Sequence, residues 1–379
     1  MDSGNTSLKS KKIRVYPETE LKMTWRKWLA ASRYCYNAGM ARLRDTYFEG
    51  LKLPSAYNLR QVVMSKIPEW VNSTPFNLRG AAVLDAHAAF KNTPKEHKLS
   101  PKFRSCRQPV SSFKLQSQNW RGGTTYPTHK TESGIKLKEL KVNASEEIPE
   151  AIPSDFNVIL DRGRWFITYT VEEEGLTNPH QQAIALDPGV RAFLTGFDGN
   201  KVIALGNGSI SRIVKLCKRL DRIQSETAKA KGRDNKRKRF KLRKLARQLR
   251  IKIRNLVDEC HKKTAAFLTS NYSQVIIPDF KSSFMVYRAK RKINHKTARS
   301  LLTWAHYRFK QRLVHQAVKR GCQVIEVTEE YTSKTCSKCG QIHNRLGGSK
   351  KFICPNCSHR IDRDANGSIN VFLKTISGN

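Results

Sequence analysis

Two pairs of cysteines constrain this chain more than any other feature. Cys336-Ser-Lys-Cys339 is followed, after fourteen residues, by Cys354-Pro-Asn-Cys357. Two CxxC pairs so spaced supply four thiolates to one tetrahedral zinc of the structural kind, with no open position for catalysis. Gly340 and Pro355 provide turn chemistry for the two knuckles. A chance cluster or a pair of disulfides is the plainer alternative. The even spacing, nine cysteines without a secretory signal and a basic chain argue against both. Directly behind the second pair comes Asp362-Arg363-Asp364-Ala365-Asn366, after which Ile369, Phe372, Leu373 and Ile376 fall at helical spacing. Asp364 is therefore expected near a helix N-terminus. A carboxylate there serves as an N-cap or, if other carboxylates converge on it, as a metal ligand.

Lys and Arg number 71 against 31 Asp and Glu, a net charge of +40. That excess exceeds what solubility needs and implies a polyanionic partner, most simply nucleic acid. No long apolar run or amphipathic anchor suggests a membrane. Cys35, Cys106, Cys217, Cys260 and Cys322 lack paired spacing and read as reduced thiols in a reducing compartment. At 379 residues the chain can hold two or three domains.

In chain order, Ile13 to Pro17 alternates like a short strand, and Leu21, Trp25, Trp28, Leu29, Tyr34 and Tyr36 stripe a helix after it. A second helix is expected over Asn77 to Asn92. Residues 93 to 150 are turn-rich and carry Lys95, Lys98, Lys102, Arg104 and Arg107 for contact with nucleic acid. Val158 to Val171 reads as a β-hairpin turning at Asp161-Arg162-Gly163. Ala183 to Leu186 is a buried-type strand ending at Asp187-Pro188-Gly189. A hairpin over Phe193 to Ala204 follows, opening like an RNase H-like fold, although Asp187 alone could be only a turn former. Ser209 to Leu268 is helical in two parts, with a tip from Lys229 to Lys241 so rich in like charge that an anion is expected beside it. Val275 to Ile277 is a strand, a basic loop spans Arg288 to Lys292, one helix is expected from about His295 to Arg320, and Gln323 to Glu329 is a last strand before the ribbon. The order is α/β.

Phosphodiester hydrolysis at neutral pH commonly uses two Mg²⁺ ions held by carboxylates from several elements. Asp187, Asp279, Glu326, Glu329, Glu330, Asp362 and Asp364 stand at element ends, and spacing alone does not choose among them.

Leu186-Asp187-Pro188-Gly189, Tyr331-Thr332-Ser333, the two CxxC pairs and Asp362-Arg363-Asp364-Ala365-Asn366 together resemble the TnpB family of RNA-guided, transposon-encoded nucleases, relatives of the type V CRISPR effectors. Tyr16-Pro17, Arg33-Tyr34 with Tyr36-Asn37, Ala89-Phe90-Lys91 and Pro101-Lys102-Phe103 extend the resemblance over nearly the whole chain. It implies a RuvC-like (RNase H-like) nuclease domain over 181–332 and 359–379 with a zinc ribbon inserted at 333–358. It also implies a β-barrel-like wedge domain over 1–20 and 93–180, and a helical recognition insert over 21–92. The first and last RuvC aspartates map onto Asp187 and Asp364. The second motif departs, because Ile277-Pro278-Asp279-Phe280 has proline where bacterial members carry a metal-binding glutamate. The eukaryotic relatives called Fanzor show the same change, with a substitute glutamate ahead of the Thr-Ser. Here it resembles Glu329, with Glu330 second and Asp279 third, since strand alternation turns Glu329 and Glu330 to opposite faces. His306-Tyr-Arg-Phe309-Lys-Gln-Arg-Leu313 also resembles the Fanzor pattern. The resemblance implies an RNA-guided endonuclease for double-stranded DNA, one protein per guide RNA, with Asp187, Glu329 and Asp364 holding two Mg²⁺ and Cys336, Cys339, Cys354 and Cys357 holding one Zn²⁺. A catalytically inactive RNA-guided DNA binder is the alternative that Pro278 raises. The basic runs Lys9 to Lys12 and Lys236 to Arg239 would serve nuclear import as well as RNA, so the nucleus is expected in a eukaryotic host and the cytoplasm otherwise.

Overall fold

The computed structural model describes residues 6–94, 101–140, 142–190, 192–280, 285–287, 293–328, 331–347 and 349–376. Glu329, Glu330, Lys95, Lys98 and the basic loop Arg288 to Lys292 lie outside them. The chain divides into two compact units, residues 8–172 and residues 173–379 with the first seven.

In the first unit, strand β1 (Thr6–Pro17) turns Ile13 and Val15 inward and stops at its proline, after which helix α1 runs over Thr19–Phe48. Leu21, Trp25, Trp28 and Cys35, and likewise Tyr36, Met40 and Leu43, are buried along α1 at spacings of three, four and seven, the apolar stripe of a packed helix. Helices α2 (Ala56–Met64), α3 (Glu69–Asn72) and α4 (Phe76–Lys91) follow, and Gly39 of α1 lets Val83 and Ala86 of α4 come close. The strands are β2 (Val110–Leu115), β3 (Trp120–Arg121), β4 (Thr124–Thr125), β5 (Val142–Ala144), β6 (Phe156–Asp161) and β7 (Arg164–Glu174). Four of them form a sheet with β1 in the order β2-β6-β7-β1-β5. Trp25 stacks edge-on to Trp165 at 5.3 Å and Trp28 to Phe113 at 5.8 Å, which joins α1 to that sheet. The β6–β7 hairpin turns through Arg162 and Gly163 at φ 50° and 83°, both left-handed, as a two-residue turn matched to strand twist requires.

The second unit opens with β8 (Ala183–Pro188), β9 (Leu194–Phe197) and β10 (Val202–Leu205), an antiparallel meander. Helices α5 (Ser209–Lys229) and α6 (Lys236–Asn271) form a long hairpin, and β11 (Gln274–Pro278) returns parallel beside β8. Helices α7 (His295–Trp304) and α8 (His306–Lys319) lead to β12 (Gln323–Val327), parallel to β11. The sheet order β10-β9-β8-β11-β12, three antiparallel strands and then two parallel crossovers, is the RNase H-like arrangement. The ribbon hairpin β13 (Lys351–Ile353) and β14 (Arg360–Asp362) runs straight into α9 (Arg363–Ile376).

Alternation along the parallel strands sorts their side chains between two faces. Ile184, Leu186, Val275 and Ile277 pack with Phe309 and Leu313 of α8, whereas Ala185, Ile276 and Val327 pack with Val371 and Phe372 of α9. Positions 185, 187, 276, 278, 325 and 327 thus belong to the α9 face.

The single helix expected over 295–320 is two. Ala305 sits at φ 51° between α7 and α8, and the Trp304 carbonyl, turned out of the ladder, accepts from His261 Nε2 at 2.8 Å. Periodicity carries through this break because Leu301, Trp304, Phe309 and Leu313 still reach one core. His261 and His306 both stack on Phe193, at 5.0 and 5.1 Å. Burial pushes His261 down to about 4 and His306 down to about 3. Below the ordinary histidine value the unfolded chain takes up protons that the folded unit refuses, so stability falls as pH drops from about 6.5 toward 4. His306→Phe keeps a ring on Phe193 and removes one of those protons. Its acid-unfolding midpoint by circular dichroism is expected below that of the wild-type chain.

Candidate functional site

The four thiols come together. The Sγ atoms of Cys336, Cys339, Cys354 and Cys357 all lie within 4.8 Å of one another, with Cys336 to Cys357 at 3.7 Å and Cys339 to Cys354 at 3.6 Å. A tetrahedral ion with metal–sulfur bonds of about 2.3 Å needs sulfurs about 3.8 Å apart, so the residues present fit a zinc. The Gln341 backbone beside Cys339, helped by the Cys357 sulfur, pulls its thiol down to about 6. At Cys357 the His359 backbone lowers the thiol, yet burial and the three neighbouring sulfurs push it up to about 12. The cluster accepts a first negative charge readily and resists the last unless a cation compensates it. Gly340, at φ 74°, closes the first knuckle, and Phe352, fully buried, packs the ribbon's interior.

Helix α9 begins at the ribbon's exit, and its cap is Asp362. The Asp362 Oδ1 accepts from the backbone N–H of Asp364 at 3.0 Å and of Ala365 at 3.4 Å. Asp364, one of the residues read as a possible cap, stands at the second helical position, where the helix dipole favours its negative form.

Asp187 ends β8 on the α9 face, against Gly367, one turn beyond Asp364. A methyl group on Gly367 would stand 2.6 Å from Asp187 Oδ2 and 3.0 Å from its Cγ. Reciprocally, a methyl on Gly189 would stand 3.6 Å from Asp364 Oδ2 and 2.8 Å from the Ala192 carbonyl. Each carboxylate lies beside a glycine two or three residues from the other in sequence. The two meet at the carboxyl ends of the parallel strands, where open α/β sheets place their ligands.

The other candidates separate from this point. Glu326 belongs to the opposite face and pairs with Lys310 of α8 at 2.5 Å. Asp362 is occupied as the cap. Asp279, whose N–H donates to the Val327 carbonyl at 2.8 Å, has the strand parity of Ile277 on the α8 side. Pro278 is level with Val327 on the α9 face, two residues before position 329.

Two asparagines tie ribbon to helix: Asn366, which the sequence offered only as part of the Asp362-to-Asn366 motif, and Asn370, which sequence reasoning passed over. Asn366 Nδ2 donates to the Thr335 carbonyl at 2.7 Å while its Oδ1 accepts from the Ser337 N–H at 3.0 Å. Asn370, one turn on, donates to the Thr332 and Thr335 carbonyls at 2.8 and 2.7 Å. Both are buried. Two asparagines four apart on the otherwise apolar face of a helix were the available signal, since a buried amide requires partners.

Gly367→Ala separates fold from site. Alanine favours a helix interior by about 1 kcal/mol over glycine, yet its methyl forces the Asp187 carboxylate aside. Unchanged or raised thermal stability is expected, with less divalent-ion binding by calorimetry.

A family model described as "Cas12f1-like, TNB domain" matches residues 306–371, and one described as "Helix-turn-helix domain" matches residues 7–52, here strand β1 and helix α1. A protein named as transposase A625R, from Paramecium bursaria Chlorella virus 1, is 27% identical over 98% of this chain and 87% of its own length. The Escherichia coli protein named as RNA-guided DNA endonuclease InsQ is 27% identical over 96% of this chain and 91% of its own. TnpB-like protein L79 of Acanthamoeba polyphaga mimivirus is 31% identical over 51% of this chain and 37% of its own length. The chain is similar to transposases and TnpB-like proteins. A solved Cas12f1–sgRNA–target DNA complex contains a protein of the same fold as this chain, with a TM-score of 0.56 at 12% identity over 97% of this chain and 99% of that one. The chain has, among the described residues, no helix long and apolar enough to cross a membrane.

Proposed function

We propose that this chain is an RNA-guided DNA endonuclease that hydrolyses target DNA with Mg²⁺ at a site built from Asp187, Asp364 and Glu329. The observation that carries the reading is the mutual approach of Asp187 and Asp364, Asp187 against Gly367 and Asp364 beside Gly189. Bound divalent ions would supply an activated water and stabilise the leaving oxygen. The chain's own residues hold the framework. Asp362 caps the turn that carries Asp364, Asn366 and Asn370 register that turn on the ribbon, and the four cysteines would hold a zinc that would keep the ribbon closed. The charge of +40 suits a folded guide RNA and its heteroduplex, bound through their phosphates while base pairing supplies sequence.

Glu329 as the replacement ligand is supported by Pro278, which cannot bind metal and lies level with Val327 on the same face. Relatives in two viruses named for eukaryotic hosts support the Fanzor type, and with it the nucleus. The wedge, recognition, nuclease and ribbon boundaries read from the sequence belong to the same proposal. Pro278 also favours a second reading, an inactive RNA-guided binder. To test the proposal, we would sequence the RNA that co-purifies with the protein and offer double-stranded DNA matched to it, with Mg²⁺. A discrete RNA and matched cutting are expected. Matched binding without cutting supports the second reading, and the absence of a discrete RNA contradicts both.

A further inference from the structure

We propose that the α5–α6 hairpin is a single-strand-binding surface on which Phe240 stacks against an unstacked nucleobase. The proposal rests on the nucleic-acid part of the reading above and is independent of cleavage. Leu220 and Ile223 of α5 close the hairpin against Ala246 and Leu249 of α6. At about 100° per residue Phe240 stands about 180° round the helix from Leu249, so this packing leaves it outside, 70% exposed. Lys236, Arg237, Arg243, Lys244 and Arg247 share its side of the helix and are all exposed. No carboxylate pairs with them among the described residues.

The tip that presents the ring is built rather than loose. Arg239 Nη1 donates to the Ala230 and Gly232 carbonyls at 2.8 and 2.6 Å, and Asn235 Nδ2 donates to the Lys231 carbonyl at 2.8 Å. An apolar ring amid like charges is left uncovered by the described residues, and the cations repel one another until an anion lies among them. A partner must therefore bring both anionic groups and a flat apolar face. Duplex DNA hides its base faces in the stack, whereas a single strand offers phosphates and bases together.

The test uses the full-length protein freed of nucleic acid by high salt. The probes are single-stranded DNA and RNA oligonucleotides carrying 2-aminopurine, and a blunt duplex of the same sequence. Quenching is expected on single strands. Phe240→Ala should weaken them about tenfold, within the range for loss of one base stack, with an unchanged salt slope, and Phe240→Trp should restore binding. Arg243→Ala with Arg247→Ala should flatten that slope by about 1.4, two phosphates' worth. Wild-type binding by Phe240→Ala, or an equal loss on the duplex, overturns the proposal. A preference for RNA assigns the surface to the guide and one for DNA to the displaced strand; either supports stacking. A protein that quenches but never cuts matched DNA defeats the nuclease reading and leaves this one standing.

Discussion

Asp187→Ala and Asp364→Ala are each expected to lower programmed DNA cleavage by about a thousandfold or more, while guide-RNA content and target binding stay at wild-type levels. Stabilising the charge of a phosphoryl transition state through bound ions accounts for several kcal/mol, and about 4 kcal/mol corresponds to that factor. The expectation follows from the positions of the two side chains. Both are half-buried and neither belongs to an apolar cluster, so each truncation removes a carboxylate without opening a core cavity. Single-turnover cleavage beside filter binding of matched DNA checks it. Cleavage that survives either substitution places the reacting centre elsewhere.

Removing the ribbon's metal is expected to have an effect as large, by a different route. Cys354→Ser, or chelation of the wild-type protein, should release one zinc per chain, lower the melting temperature and abolish cleavage with Asp187 and Asp364 both intact. Four thiolates within 4.8 Å of one another repel unless a cation offsets their charge. Once the ribbon opens, the carbonyls of Thr332 and Thr335 and the N–H of Ser337 leave Asn366 and Asn370. Each hydrogen bond contributes about 1 kcal/mol, and buried amides left unpaired cost more. Helix α9 then loses its register, and the Asp364 carboxylate moves with it. Zinc content, melting and cleavage should fall together across a chelator titration; cleavage by a chain stripped of zinc contradicts the coupling.

The elements of the nuclease unit could largely be read from the chain, because its buried strands and amphipathic helices announce themselves by period. Ala183 to Leu186 and Val275 to Ile277 are runs that only a sheet covered on both faces explains, and Gln323 to Val327 is a half-exposed edge strand beside them. The four cysteines were legible for a chemical reason, since few arrangements other than a metal justify that spacing. The helix break at Ala305 was not legible. It is held by a hydrogen bond from His261, more than forty residues away, and no local signal records such a partner. The cap at Asp362 rather than Asp364 lay within the two-residue margin of helix ends. Glycine at position 367 is by propensity only a weak helix former, and its meaning emerged once Asp187 stood against it. The choice among seven carboxylates was likewise tertiary. Lys310 claims Glu326 and the first turn of α9 claims Asp362, facts of folding that no spacing contains.

The proposal of Glu329 as the ligand in place of Pro278 is tested most directly by cleavage by the wild-type chain beside Glu329→Ala and Glu330→Ala. Each protein would be purified with its own RNA and given matched double-stranded DNA and Mg²⁺. Cutting by the wild type and by Glu330→Ala, with loss of cutting in Glu329→Ala at unchanged DNA binding, is the predicted result. Full cutting by Glu329→Ala would contradict it, since Pro278 would then be left without a substitute.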